Sequence, residues 1–431
     1  MTFVRTVCLT ASLALWGAGA ASALDLEGVL REVAAANPTL AARRSMVEAA
    51  SRRVAPAGAW QSPMLELGAV NVPTSGRFDM DPMTMKMIGV SQRVPVFGAN
   101  RLSRRSAGEA LRAESAAAEL THYEFFALAW QAYADAFYAG LLARQADSHT
   151  AVMDRLVKSA RARYESGNGR LEDALRAEAE RARTLADLAA FRAEERSARA
   201  RLDALRGVPP GAGGEALTPP PVTSTTWESP AWNEAVGASH PRLRELDAQV
   251  SRYRFAARAA RRMALPDLAL TASYSRRGKL EGGIAQDNMF NATVGLMLPI
   301  FAAQREFSEG AEMDAMARAT EADRRAAELD LLEQLRSGLA SAEASQRTVG
   351  LLADTVVVTQ QRAVEASWSA YSAGTTDLWR VFEATHTLYN EQIALLRARQ
   401  GLAGAEARLL SITTRGDLLG VHLPEIKRSE R

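Results

Sequence analysis

The chain has 431 residues, long enough for more than one ordinary domain. Its 52 basic and 50 acidic side chains leave a formal net charge of +2, which argues against a strong field for nucleic acid or an anionic membrane surface. Aromatic residues make up only 6% while Ala and Arg abound, a mix that suits long helices because both are strong helix formers.

Residues 1–23 read as a secretory signal peptide. Arg5 supplies the positive start, "TVCLTASLALWGAGA" the apolar stretch, and Ala21, Ser22 and Ala23 the small residues of a cleavage site. Cys8, the single cysteine, sits early in the apolar stretch and does not resemble a lipoprotein site. The mature chain is therefore expected to lack disulfides, thiolate metal sites and a cysteine nucleophile. No later run is long and apolar enough for a membrane-spanning helix, so any membrane crossing must use strands.

From Leu24 onward the chain is written twice: a first repeat over 24–206, a linker over 207–227, a second repeat over 228–415 and a tail over 416–431. "NPTLAARRSMVEAASRRV" from Asn37 aligns with "HPRLRELDAQVSRYRFAA" from His240, placing Pro38 on Pro241 and Leu40 on Leu243. Pro63, Leu65 and Leu67 fall on Pro266, Leu268 and Leu270. "VPVFGANR" from Val94 falls on "LPIFAAQR" from Leu298, and Tyr164-x-x-Gly167 falls on Tyr371-x-x-Gly374.

Each repeat opens with helix, in which Pro38 and Pro241 start a second segment, because proline fits a first helical turn and not an interior. Two strands follow, expected at about 63–72 and 85–95, then about 266–276 and 289–298, by alternation of apolar with small or polar residues. Phe290, Ala292, Val294, Leu296 and Leu298 share one face, and Asn291, Thr293 and Gly295 the other. The polar, Gly-rich stretches 73–82 and 277–287 read as loops. A very long helix starts near Arg101 and again near Arg305. The first would run roughly 100 Å to Glu165. A lone helix of that length cannot bury its apolar face, and the glycines at 167 and 374 would fold each one back into a hairpin, with tips at about 164–171 and 371–378. The linker "GVPPGAGGEALTPPPVTSTT" is expected to wrap the middle of the helical body.

Four strands of this length are too few to close a membrane barrel, and an open edge in lipid leaves backbone groups unsatisfied. Either the strands lie outside the membrane or several chains share one barrel. At this point the duplicated order of helix, strand pair, long helix, Tyr-x-x-Gly tip and returning helix resembles the TolC family of outer-membrane efflux proteins, over essentially the whole mature chain. "YSAGTTDLWRVFEATHTLYN" is similar to that family's second hairpin tip. "GVSQRVPVFGANR" resembles its strand-to-helix corner, particularly in the CzcC/CusC-like heavy-metal branch.

The resemblance implies a mainly α fold with a membrane β-barrel: a homotrimer whose twelve-stranded barrel lies in outer-membrane lipid above an α-helical periplasmic tunnel. It implies an exit duct with no cofactor and no enzymatic chemistry, working with a periplasmic adaptor (a membrane fusion protein) and an inner-membrane pump of the RND type. The tips, with Tyr164, Gly167, Leu171, Tyr371, Gly374 and Leu378, would face the adaptor. Asp173 aligns with Arg380 and Arg176 with Glu383, and the resemblance puts these four just inside the tips as gate candidates. They would either pair across neighbouring hairpins or form intrahelical pairs on a wet face. Members of that family's drug and copper branches often carry a lipidated N-terminal cysteine; none is expected here, so anchoring would rest on the barrel alone.

Bland alternatives stand beside these readings. His122, His149, His240, His386 and His422 are scattered and show no zinc spacing. No Ser/His/Asp set or phosphate loop is present, and no metal site is assigned. Met80, Met83, Met85 and Met87 offer thioethers suited to Cu(I) and Ag(I). Met83, Met85 and Met87 are expected to share one strand face, and Lys86 lies opposite and should avoid lipid, which would turn these methionines outward. The repeat alignment turns Met85 and Met87 into the lumen instead, and a bulge or a polar-rim position for Lys86 would reconcile the two. The readings carried forward are an efflux duct, for heavy-metal cations or alternatively for drugs or secreted protein, and a soluble periplasmic coiled-coil scaffold.

Overall fold

The computed structural model describes residues 23–221, 227–279 and 282–426. The signal segment therefore lies outside the described residues except for Ala23, as do the end of the linker and the last five residues of the tail.

The helical openings follow from their caps. Asp25 accepts from the Gly28 N–H at 2.8 Å and starts α1 (Leu26–Ala36), which buries Leu26, Val29, Leu30 and Val33 at helical spacing. Asn37 then accepts from the N–H groups of Thr39 and Leu40, and Pro38 begins α2 (Pro38–Ala57). The second repeat uses the same joint with a different residue. The short α5 (Ala231–Ala235) buries Trp232, and the His240 ring accepts from the Arg242 N–H at 3.2 Å, opening α6 at Pro241 (Pro241–Met263).

The long helices are α3 (Ala99–Glu165, 67 residues) and, returning from the first tip, α4 (Leu171–Arg206). In the second repeat α7 (Glu306–Leu351) passes through a π-helical turn at Leu352–Val356 into α8 (Val357–Ser372), and α9 (Leu378–Thr413) returns. Small residues such as Ala129, Ala132, Ala136 and Ala139 are fully buried along α3, so neighbouring helices approach closely. The largest core lies part-way along the helices, where Phe126, Trp130 and Tyr133 of α3 meet Trp232, Leu243, Leu335 and Leu409. The linker closes over this core: Leu217 bridges Leu24 in parallel, and the Tyr133 hydroxyl lies 2.6 Å from the Thr218 carbonyl. Buried Arg206 ties α4 to α1 and to the linker through Glu32 and Glu215.

The strands β1 (Met64–Val70), β2 (Met85–Val94), β3 (Asp267–Arg277) and β4 (Met289–Met297) form one antiparallel sheet in the order β1-β2-β3-β4. The two repeats meet at β2–β3, over ten paired residues. The free edges are β1 and β4.

Candidate functional site: sheet faces, hairpin tips and the seam between hairpins

Directly paired residues of an antiparallel sheet share a face, so the register sorts the sheet. One face carries Leu65, Val90, Ala272 and Ala292 in a single row, with Leu67, Ile88, Tyr274 and Phe290 in the next row outward. It is apolar throughout that region and open to solvent in one chain: Leu67, Phe290 and Val294 are each about 70% exposed. The opposite face carries Glu66, Gly89, Ser273 and Asn291, then Gly68, Met87, Ser275 and Met289. An apolar belt this size must meet lipid or another apolar surface. The polar face suits a wet interior.

The register resolves the question of Lys86. It pairs with Ala69 and Arg276 at the outer end of the sheet, so the apolar face ends in a cationic rim there. Met85 and Met87 consequently lie on the polar face. Met83 does not join them on a strand. It sits in a turn that Asp81 closes by accepting from the Met83 N–H at 2.7 Å, and β2 starts two residues later.

The tips repeat bond for bond. Gly167 (φ 77°) and Gly374 (φ 74°) take the left-handed conformation that glycine tolerates best. Gly167 N–H donates to the Tyr164 carbonyl and Asn168 N–H to that of Arg163; Gly374 and Thr375 do the same to Tyr371 and Ala370. The side chains differ between tips. Tyr164 and Leu171 are exposed, whereas Leu378 is buried and Tyr371 half-buried. Leu378 and, against it, Tyr371 join an apolar cluster with Met153, Leu156 and Phe382 that binds the second hairpin to the first.

Of the gate candidates, Arg380 pairs with Glu383 at 3.4 Å within α9, and Arg176 pairs with Glu172 within α4. Within one chain, then, the ion pairs of these residues are intrahelical, and Asp173 is in none among the described residues. Arg176 also lies over the Trp379 ring, 5.0 Å from its centroid, which links α4 to α9.

A polar seam between the hairpins was not visible in the sequence. Arg163 donates to the Tyr371 hydroxyl at 2.5 Å and stands over its ring. Further from the tips, Gln145 meets Gln392, and Arg397 grips Glu194 with its second nitrogen at 2.7 Å. That contact holds the Glu194 carboxyl below the usual range, the Arg397 hydrogen bond being the main cause. Gln400 donates to Asp135 at 2.8 Å. Between these levels the fold brings two of the scattered histidines together. His149 of α3 and His386 of α9 have ring centroids 6.1 Å apart, and His149 stacks on Tyr389 at 4.1 Å. Their separation in sequence gave no signal for this.

Among the described residues no group of three or more His, Cys, Asp or Glu side chains is arranged to hold a metal ion, and no helix is long and apolar enough to cross a membrane.

Comparison with known proteins gives a consistent picture. A family model described as outer membrane efflux protein matches residues 29–208 and again 233–415, one match per repeat. The outer membrane efflux protein BepC of Brucella suis biovar 1 is 28% identical over 311 residues, covering 69% of this chain and 65% of BepC, so the match spans just under two thirds of that relative. Among solved structures, CusC superposes with a TM-score of 0.75 at 15% identity, covering 91% of this chain and 92% of CusC. The outer membrane protein VceC of Vibrio cholerae gives 0.74 at 17% identity, covering 90% and 95%. At these identities the structural likeness is one of fold.

Proposed function

The chain belongs to the outer membrane efflux protein family, and from that premise we propose that it is the exit duct of a tripartite efflux system. The observation that carries this reading is the sheet: four strands with one apolar face, one polar face and two unpaired edges, mounted on hairpins roughly 100 Å long. Unpaired edges are not tolerated in lipid, so edge β1 would pair with edge β4 of a neighbouring copy until a ring closes. Three copies give twelve strands around a polar lumen. In this arrangement the loops at 73–82 and 277–287 face outside, and both tips face the periplasm, where an adaptor and an inner-membrane RND-type pump would meet them.

The cargo we propose is heavy-metal cations. Two features support it: the corner "GVSQRVPVFGANR", and the thioethers of Met85 and Met87 on the polar face of the sheet. A deletion strain is expected to lose tolerance to copper, silver, zinc, cobalt or cadmium more than to large hydrophobic drugs. Normal metal tolerance with lowered drug tolerance would replace the cargo and keep the duct. Unchanged tolerance to both, with the protein absent from outer membranes, would favour the soluble scaffold.

The gate would lie where Asp173, Arg176, Arg380 and Glu383 converge in the ring. Asp173 would then find Arg380 on a neighbouring hairpin at the cost of the weak Arg380–Glu383 contact, since an exposed pair contributes only about 0.2–1 kcal/mol. Arg380→Glu is expected to raise single-channel conductance in planar bilayers, and adding Asp173→Arg to lower it again. If the single change leaves conductance unaltered, the ion-pair latch is wrong.

A further inference from the structure

The seam between the hairpins brings two histidine rings and a tyrosine ring together. His149 is 5% exposed, and its Nε2 is buried with no hydrogen-bond partner among the described residues. The ring lies flat on Tyr389, with 5° between planes. His386, one turn earlier on α9, stands beside both rings, at 6.1 Å from His149 and 6.2 Å from Tyr389.

Most of the charges around this pair already have partners. From α4, Glu180 places Oε1 3.0 Å from His386 Nδ1, close but not aligned as a hydrogen bond, while its Oε2 accepts from Arg183 at 2.8 Å. Asp187, also on α4, accepts from the Tyr389 hydroxyl at 3.4 Å. On α3, Asp147 and Asp154 are held by Arg192 and Arg181 of α4. On α9 itself, Glu383 holds Arg380. The charged residues of α8, which also packs on α9, are Arg362 and Glu365; both are exposed and in no ion pair among the described residues. Glu180 is thus the carboxylate that directly faces an imidazole, and the one it faces is His386.

We propose that His149 forms an acid-sensitive catch between the two hairpins: uncharged, its ring lets α9 lie against α3, and charged, it drives α9 away from it near the tips. A proton on His149 meets no counter-ion and a dry surrounding, with the His386 ring rather than a carboxylate beside it. Burial, and secondarily His386, accordingly push His149 down to about 4. Once the seam opens, the ring meets water and regains its ordinary value near 6.5. A depressed histidine stabilises the closed seam fully above pH 6.5, and that contribution is lost as the pH falls toward 4. Acid therefore favours the open seam. The proposal rests on the packing of α3 against α9 and would hold whatever the duct carries.

A cysteine reporter tests this in the full-length, detergent-extracted protein lacking Cys8. Ala146→Cys places a thiol where the residue is fully buried, in one cluster with Leu188 and Tyr389. Asn390→Cys provides an exposed reference thiol, so that the ratio of their reaction rates with a disulfide reagent cancels the pH dependence of thiol reactivity. This ratio reports even rare openings. For one proton bound between the two limits, it is expected to rise at least about tenfold from pH 7.5 to 4.5. The rise is expected to vanish with His149→Phe, which keeps the stack on Tyr389 but takes no proton, or with His149→Leu if the first variant does not assemble. A flat ratio, or a tenfold rise that survives removal of the His149 imidazole, overturns the catch.

Discussion

At the residue scale, the two repeats solve one local problem with different side chains. Asn37 and His240 both precede a proline and both accept from the backbone N–H two residues on. Asparagine does this at any pH, whereas histidine does so only through an unprotonated nitrogen. His240 is 1% exposed, and burial pushes it down to about 4. Its cap contribution is therefore complete above pH 6.5 and fades as the pH falls through about 4. His240→Asn is expected to keep the stability at pH 7 and to extend it to lower pH. His240→Ala is expected to cost about 1 kcal/mol at neutral pH. Dissociation temperatures of the detergent-extracted oligomer at pH 7.5 and 4.5 check both. The prolines themselves were legible in the sequence because they have one helical role. The choice of His240 as a cap was not, since an isolated histidine in a sequence signals nothing about its protonation or burial.

At the element scale, the alternation in β4 puts neighbouring residues on opposite faces of the sheet. Ala292 stands in the apolar row with Leu65, Val90 and Ala272, and Thr293 in the polar row with Thr271, Ser91 and Met64. Arginine facing lipid near the bilayer midplane costs about 2–4 kcal/mol per copy, and arginine facing a wet lumen far less. Ala292→Arg is expected to deplete the protein from outer membranes, while Thr293→Arg leaves assembly intact and alters conductance. Equal depletion by both would mean that the faces are not lipid and lumen. Strand positions were readable because a period of two leaves a direct trace. The hairpin tips were readable because Gly167 and Gly374 are required by positive φ. The π-helical turn at 352–356 left no such trace. From corner to tip the second repeat is three residues longer, Leu298 to Tyr371 against Val94 to Tyr164. A π turn takes up one extra residue while keeping the faces of the helix on either side in place. Equally unreadable was the seam, where His149 meets a residue 237 positions away, because α3 and α9 pack by shape and small residues rather than by any motif.

At the scale of the whole molecule, duplication explains why so plain a sequence builds so large an object. Each repeat contributes one strand pair and one helical hairpin, and the sheet joins them at β2–β3 while leaving β1 and β4 unpaired. One chain thus carries an open four-stranded sheet rather than a closed barrel. The same construction fixes orientation: each strand pair is entered and left by helices, so the turns joining β1 to β2 and β3 to β4 lie at the end of the molecule remote from the tips. The most direct measurement of the central claim, an outer-membrane barrel on a periplasmic tunnel, is cysteine labelling on intact cells with a membrane-impermeant reagent. Ser75→Cys, in the turn joining β1 to β2, is expected to be labelled without disrupting the cell. Ser166→Cys, at the first tip, is expected to be labelled only after the outer membrane is broken. Labelling of both only after breakage, or of the tip alone on intact cells, contradicts the claim.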